Sequence, residues 1–247
     1  MKNITTQSYG EIALPHLESV LKKNQAVMEA LVDRLVDDVK KDKSLFVFGS
    51  GHSALFTMEM YHRAGGASFV IPVFANYLLP TAGPPVVRVL ERTAAAANMM
   101  LARVDPKPGE MIWISSQSGV NAAVVDFALD AKKRGLYTVA FTSVAHSSAV
   151  ESRHSSKQRL FEVCDATVDF GGYRGDACLE IAPDTRAGPL SGITSVLLGH
   201  SILTAACAKL EAQGIACTYT SVNTPEGQAR NKDIEKKAMI RDVLLRE

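Results

Sequence analysis

Between residues 11 and 41, apolar positions recur at Leu14, Leu17, Val20, Leu21, Val27, Met28, Leu31, Leu35 and Val39, with charged residues between them. This spacing predicts one long amphipathic helix. "SLFVFGS" (44–50) is a short apolar run that ends in glycine and reads as a buried strand. Residues 53–64 read as helix, "SFVIPVF" as a second strand, "LPTAGPP" as a loop and about 89–103 as helix again. "MIWISS" is a third strand, 120–134 a helix closed by Gly135, and "LYTVAFTS" a fourth strand. "ATVDF" is a fifth strand, 190–212 a long apolar helix stopped by Gly214, and the tail from Pro225 a charged helix.

Strands alternating with helices predict an α/β fold, a doubly wound parallel sheet in three α/β/α layers. Residues 1–247 read as one domain, with the helix at 11–41 and the tail at 225–247 flanking its core. In such sheets ligands bind beyond the carboxyl ends of the strands, at a topological switch point. The loops to inspect are therefore "GSGHS", "SSQSGVN" and "TSVAHSS".

Composition narrows the function classes. Lys plus Arg total 27 and Asp plus Glu 26, which leaves no basic excess for a nucleic-acid surface. No uninterrupted apolar run approaches a membrane span, and the N-terminal "MKNITTQSYGEIAL" has no secretory apolar region. Cys164, Cys178, Cys207 and Cys217 show no C-x-x-C spacing and read as reduced thiols, which makes the cytoplasm the expected compartment.

Gly49-Ser50-Gly51-His52-Ser53-Ala54 fits a loose dinucleotide fingerprint, but residues 64–80 hold no acidic residue for a ribose, and no Gly-Lys-Ser/Thr follows. "GSGHS" and "SSQSGVN" instead share a design, since each follows a strand, opens a helix, and is rich in serine and glycine. Hydroxyls, close backbone amides and a helix N-terminus suit a phosphate monoester. The plain alternative is that the serines only cap helices.

"GSGHS", "ISSQSGVNAAVVDFALDAKKRG" and "LYTVAFTSVAHSSAV" together resemble the sugar isomerase (SIS) domain family, over about residues 30–215. "GHSALFTMEMYHRAGG", "LER", "HSSAVESRHSSKQRL" and "GDACLEI" resemble a group of single-domain members linked to phosphosugar isomerisation. The resemblance implies a flavodoxin-like or Rossmann-like sheet, a sugar-phosphate ligand and a homodimer or higher homo-oligomer. It implies no membrane or nucleic-acid partner and no cofactor. By motif, Ser50, His52 and Ser53 would line one side, Ser116, Gln117, Ser118 and Asn121 would hold phosphate, and Ser191 would add a hydroxyl from a shortened late motif.

Aldose–ketose isomerisation needs a base near neutrality. Glu59, two turns into the helix opened by "GHS", is the first candidate, against the plain alternative of a surface carboxylate. His200 is the second, because a histidine at a similar place in phosphoheptose isomerases acts in catalysis and binds zinc. Glu59 and His62 share a face at i, i+3, so Glu59, His62 and His200 form an alternative zinc set. His154 is a further catalytic candidate and Arg153 a binding one, in a segment with His146 and Lys157 too polar for a core. Glu91, in "LER", is a fourth catalytic candidate, and Asp176 and Glu180 are weaker acids, Asp176 having a turn role as its alternative.

Two other readings stand beside the isomerase. One is an amino-sugar phosphate lyase or etherase, disfavoured because "TAAAANMM" replaces that family's glutamate-containing stretch, though Asn231 and Lys232 slightly resemble its tail. The other is a non-catalytic phosphosugar sensor.

Overall fold

The protein is described by a computed structural model covering residues 4–245. Helix α1 (Ser8–Val39) is followed by β1 (Leu45–Gly49), α2 (Ala54–Met60) and β2 (Val70–Pro72). Then come α3 (Pro84–Leu90), α4 (Asn98–Val104), β3 (Met111–Ser115), α5 (Ala122–Lys133) and β4 (Tyr137–Thr142). The short helices α6 (Val144–Ser148) and α7 (Leu160–Val163) lead to β5 (Ala166–Asp169). A hairpin of β6 (Ala177–Ala182) and β7 (Thr185–Pro189) precedes α8 (Ser191–Glu211) and α9 (Pro225–Ala238).

Five strands form one sheet in the order β2-β1-β3-β4-β5, and every pairing is parallel. Its central strands are mostly apolar because both faces are covered. Leu45 and Val47 join one core with Met111, Trp113, Phe141 and residues of α1, α2 and α8. Phe46 and Phe48 face the other, with Ile112, Ile114 and residues of α4, α5 and α7. The three-layer doubly wound α/β architecture expected from the alternation of elements is present.

Three local expectations change. The helix expected at 53–64 stops at Met60, where Tyr61 turns extended and His62 takes a φ of +33°. The helix expected at 89–103 is two helices. Pro84 and Pro85 start α3 inside the supposed loop, as proline favours a first helical turn. The alanine-rich stretch then breaks, because the Asp126 carboxylate accepts the Ala95 N–H at 2.6 Å and the Asn98 side-chain amide at 3.0 Å. The β6–β7 hairpin, turning at Pro183-Asp184, was not anticipated from the sequence.

Helix α8 is long and apolar enough by composition to cross a membrane. Here it is a core helix, burying Leu198, Ile202, Leu203 and Leu210. Gly199 lets α2 come close, since a Cβ there would lie 2.6 Å from Phe56 Cε2.

The open edge of β5 is held by α1. Buried Asn24 donates to the Asp169 carbonyl at 2.9 Å and accepts the Asp169 N–H at 2.8 Å. The Asp169 carboxylate accepts from Lys23 Nζ at 2.6 Å and from the amides of Val144 and Gly171. Burial raises its pKa, but the bonds from Lys23, Gly171 and Val144 outweigh burial and hold it below the ordinary carboxylate range. A lowered folded pKa gives stability that is complete above the unfolded value of about 3.9 and is lost as pH falls through the folded value. Asp169→Asn should therefore lower stability at neutral pH and flatten its decline below about pH 4. Urea unfolding at both ends of that window checks this; parallel curves for the variant and the parent would refute it.

Candidate functional site

Chain order and sheet order part between β1 and β3. Helix α2, after β1, packs on one face, and α5, after β3, packs on the other. The carboxyl ends of these strands thus open a crevice. A cavity of about 950 Å³ occupies it.

The loop after β1 makes the first wall. Ser50, His52 and Ser53 line the cavity, with His52 exposed and Ser50 nearly buried. Glu91 reaches this wall from the end of α3, and Ser50 Oγ donates to Glu91 Oε1 at 3.0 Å. Gly51 sits at φ +56°, and a Cβ on it would stand 2.7 Å from that same Oε1. The glycine is what lets the carboxylate approach the loop. The Glu91 carbonyl also accepts the Ala123 N–H at 3.0 Å, which ties this wall to the first turn of α5.

The loop after β3 makes the second wall, with Ser116, Gln117, Ser118 and Asn121 lining the cavity. Ser116 Oγ accepts the Gly119 N–H at 3.2 Å. Gly119, at φ +60°, is crowded by Thr142, Leu160 and Ser147, so only glycine suits this bend. The segment after α6 straps the loop from behind, through Arg153 N–H to the Val120 carbonyl and Leu160 N–H to the Gly119 carbonyl, both at 2.8 Å. Among the described residues, the backbone amides of Gln117, Ser118, Val120 and Asn121 donate to no protein acceptor, and Asn121 does not cap α5 with its side chain. These unpaired amides lead into α5, whose N-cap Asn121 lines the cavity, and among the described residues no lysine or arginine lines it.

The third wall comes from distant segments, Tyr9, His146, Asp176 and Ser191. Asp176 Oδ1 accepts the amides of Leu190 and Ser191, at 3.1 and 2.8 Å, and Oδ2 accepts the Ser191 hydroxyl at 2.6 Å. The N-terminus of α8 is thus already occupied by a carboxylate of the chain itself. Ser191 lines the cavity with its proton committed to Asp176. Tyr9 donates to the Pro189 carbonyl at 2.6 Å, and burial raises its pKa. His146 Nδ1 accepts the Gly175 N–H at 3.3 Å. Its pKa is lowered, by burial first; Asp176 pulls against this, and Arg174 adds a smaller lowering. Leu55, Met58 and Ile193 add an exposed apolar rim.

Of the four catalytic and nine binding candidates, nine meet at this cavity, Glu91 together with Ser50, His52, Ser53, Ser116, Gln117, Ser118, Asn121 and Ser191. Four others do not line it. Helix α2 has seven residues and turns Leu55 and Met58 to the cavity, which rotates Glu59 towards α8. There Glu59 Oε1 pairs with Arg63 and lies 3.3 Å from His200 Nε2. Burial, then Arg63, lowers the His200 pKa. His154 is only 7% exposed, with Nδ1 accepting the Ser156 N–H at 3.1 Å and Nε2 lying 3.5 Å from Asp126. It braces the polar segment against α5. Arg153 is exposed and donates to Asn121 Oδ1 at 2.7 Å, so it orients a cavity residue from outside the lining.

The alternative zinc set is not assembled. His62 stacks on Tyr219 and lies 3.4 Å from Glu235, apart from the Glu59–His200 pair. Among the described residues no three His, Cys, Asp or Glu side chains converge. Glu180 lies on the exposed hairpin, outside the main cavity, while Asp176 lines it. Asn231 clamps Thr220 through both its amide atoms, a structural use for that tail residue. Sequence reasoning gave Tyr9 no role and passed over His146, although the strand-end rule pointed to the loop that carries it.

A sequence model of the SIS domain matches residues 8–143. The chain is 31% identical over 229 residues to a UPF0309 protein of Shouchella clausii, covering 92% of this chain and 93% of that one. It is 29% identical over 226 residues to a UPF0309 protein of Brucella ovis, covering 91% and 92%. Among solved structures, a phosphoheptose isomerase from Francisella tularensis superposes with a TM-score of 0.49 at 9% identity, over 83% of this chain and 100% of that one.

Proposed function

This chain belongs to the SIS-domain family, and from that premise we propose that it binds a sugar phosphate and interconverts its aldose and ketose forms. The observation that carries the reading is the contrast between two helix N-termini at one cavity. That of α8 is filled by Asp176, whereas the loop entering α5 keeps the amides of Gln117, Ser118, Val120 and Asn121 unpaired beside the hydroxyls of Ser116 and Ser118. An anion gains from unpaired amides and a favourable dipole only at the open end. Hydroxyls and amides, with no lysine or arginine in the lining, suit a phosphate monoester, and the apolar rim suits the carbon face of a sugar.

Glu91 is the carboxylate placed to move the proton. It stands on the wall beside the anion loop and is oriented by Ser50. In the proposed reaction it removes the proton from C2 of an open-chain aldose phosphate. The electrons form an enediolate with its charge on O1, the O2 hydroxyl proton passes to O1, and the proton on Glu91 returns at C1 as the O2 carbonyl forms, giving the ketose. Glu91 is neutral only between the two transfers, so the cycle needs no net proton.

A thermal-shift panel of pentose, hexose, heptose and amino-sugar phosphates tests the binding reading. At least one compound should stabilise the protein, and Ser118→Ala should weaken that binding about tenfold or more, the loss expected for a hydrogen bond to a charged group. Equal calorimetric affinity in the variant would remove the phosphate role of this loop. Binding without isomerisation would instead leave a sensor.

A further inference from the structure

We propose that His146 binds the reacting end of the sugar as a neutral imidazole, donating a hydrogen bond from Nε2 to the oxygen at C1 or C2. The inference rests on the sugar-phosphate reading and names the residue that complements Glu91 within it.

The tautomer follows from the geometry. The Gly175 amide can only donate, so Nδ1, which accepts it at 3.3 Å, must keep its lone pair. A neutral ring then carries its proton on Nε2. Among the described residues Nε2 has no protein partner, and the ring lines the cavity. Burial favours the neutral form and outweighs the opposing pull of Asp176, with a smaller contribution from Arg174.

Asp176 does not turn this histidine into an acid–base dyad. Its two oxygens already accept the Leu190 and Ser191 amides and the Ser191 hydroxyl. No hydrogen bond joins it to His146. What remains, among the described residues, is an N–H donor without a protein partner, on a ring that is held at Nδ1 and belongs to the cavity lining. Sheet order places β3 between β1 and β4, so the anion loop after β3 is flanked by the Glu91 wall on one side and the His146 segment on the other. A phosphate held in the middle leaves the sugar chain between a base and a donor. As C2 loses its proton, negative charge develops on the carbonyl oxygen. A donor already in place stabilises that charge without reorganisation.

Long-range proton–nitrogen NMR on histidine-labelled protein at neutral pH, assigned with His146→Gln, tests this directly. The free protein should show a neutral ring protonated at Nε2. The tightest sugar phosphate of the panel should shift that nitrogen, and saturating inorganic phosphate should not. His146→Ala should slow solvent exchange at C2 by about 10²–10³-fold, the usual loss on removing one such donor, with inorganic phosphate binding unchanged. A ring protonated at Nδ1, a charged ring, or a bound sugar phosphate that leaves both the resonance and the variant's rate unaltered would each overturn the assignment of His146 alone. A panel with no binder would end the sugar-phosphate reading, and this inference with it.

Discussion

Glu91→Gln is expected to slow solvent-deuterium exchange at C2 of a bound sugar phosphate by about 10²–10⁴-fold, the range for loss of a positioned general base, with ligand affinity little changed. The expectation depends on how conservative the change is at this position. Glutamine keeps the length and one acceptor oxygen, so Ser50 can still donate as it does now at 3.0 Å. The Gly51 approach that admits the carboxylate admits the amide equally. Only proton affinity is lost. Glu59→Gln in the same assay is the deciding comparison. Glu59 is bound up with Arg63 and His200 between α2 and α8, away from the cavity lining. Full exchange in Glu91→Gln, with loss in Glu59→Gln, would move the base to that pair.

The second large effect lies at the opposite end of the sheet. Glu110 precedes β3 and is only 1% exposed. Its carboxylate accepts Arg241 at 3.0 and 2.8 Å, the Ser44 N–H at 3.0 Å and the Lys107 N–H at 2.6 Å. One side chain thus joins the entries to β1 and β3 to the C-terminal tail. Arg241→Met would leave a buried carboxylate facing two amides without its counter-charge. Losing one partner of a buried pair costs about 3–5 kcal/mol. For a chain of this size that corresponds to a fall in Tm of roughly 10 °C. Thermal melts followed by circular dichroism measure it, and a loss below about 1 kcal/mol would class the pair with exposed surface bridges. Because the pair sits far from the cavity, Arg241→Met should keep sugar-phosphate affinity at temperatures where it is folded.

Much of the architecture was written locally. Five largely apolar runs became the five parallel strands, since a strand buried on both faces favours near-continuous apolar residues. The two serine–glycine loops could be recognised because their chemistry lies within a few consecutive residues, and the strand-end rule located them. The failures share a cause as well. Asp126 breaks the alanine-rich segment from 31 residues away in sequence, at Ala95. The hairpin at 177–189 is half-exposed, and its second strand, TRAGP, carries glycine and proline in place of a strand signal.

By itself, then, the sequence determined the fold class, the strand ends that line the cavity, and the hydroxyl and amide character of the loop after β3. These depend on periodicity and on residue types in short runs. Only the tertiary structure decided which acids and bases share the cavity. Glu59 was lost because a seven-residue helix turned it towards α8. Glu91 was selected because Gly51, 40 positions earlier, leaves room for its carboxylate. His154 packs beside Asp126 and His146 lines the cavity, although they lie eight residues apart, because one meets α5 and the other the Gly175 amide. Contacts between distant segments set the direction of a side chain and the position of its proton, and they leave no periodic trace along the chain.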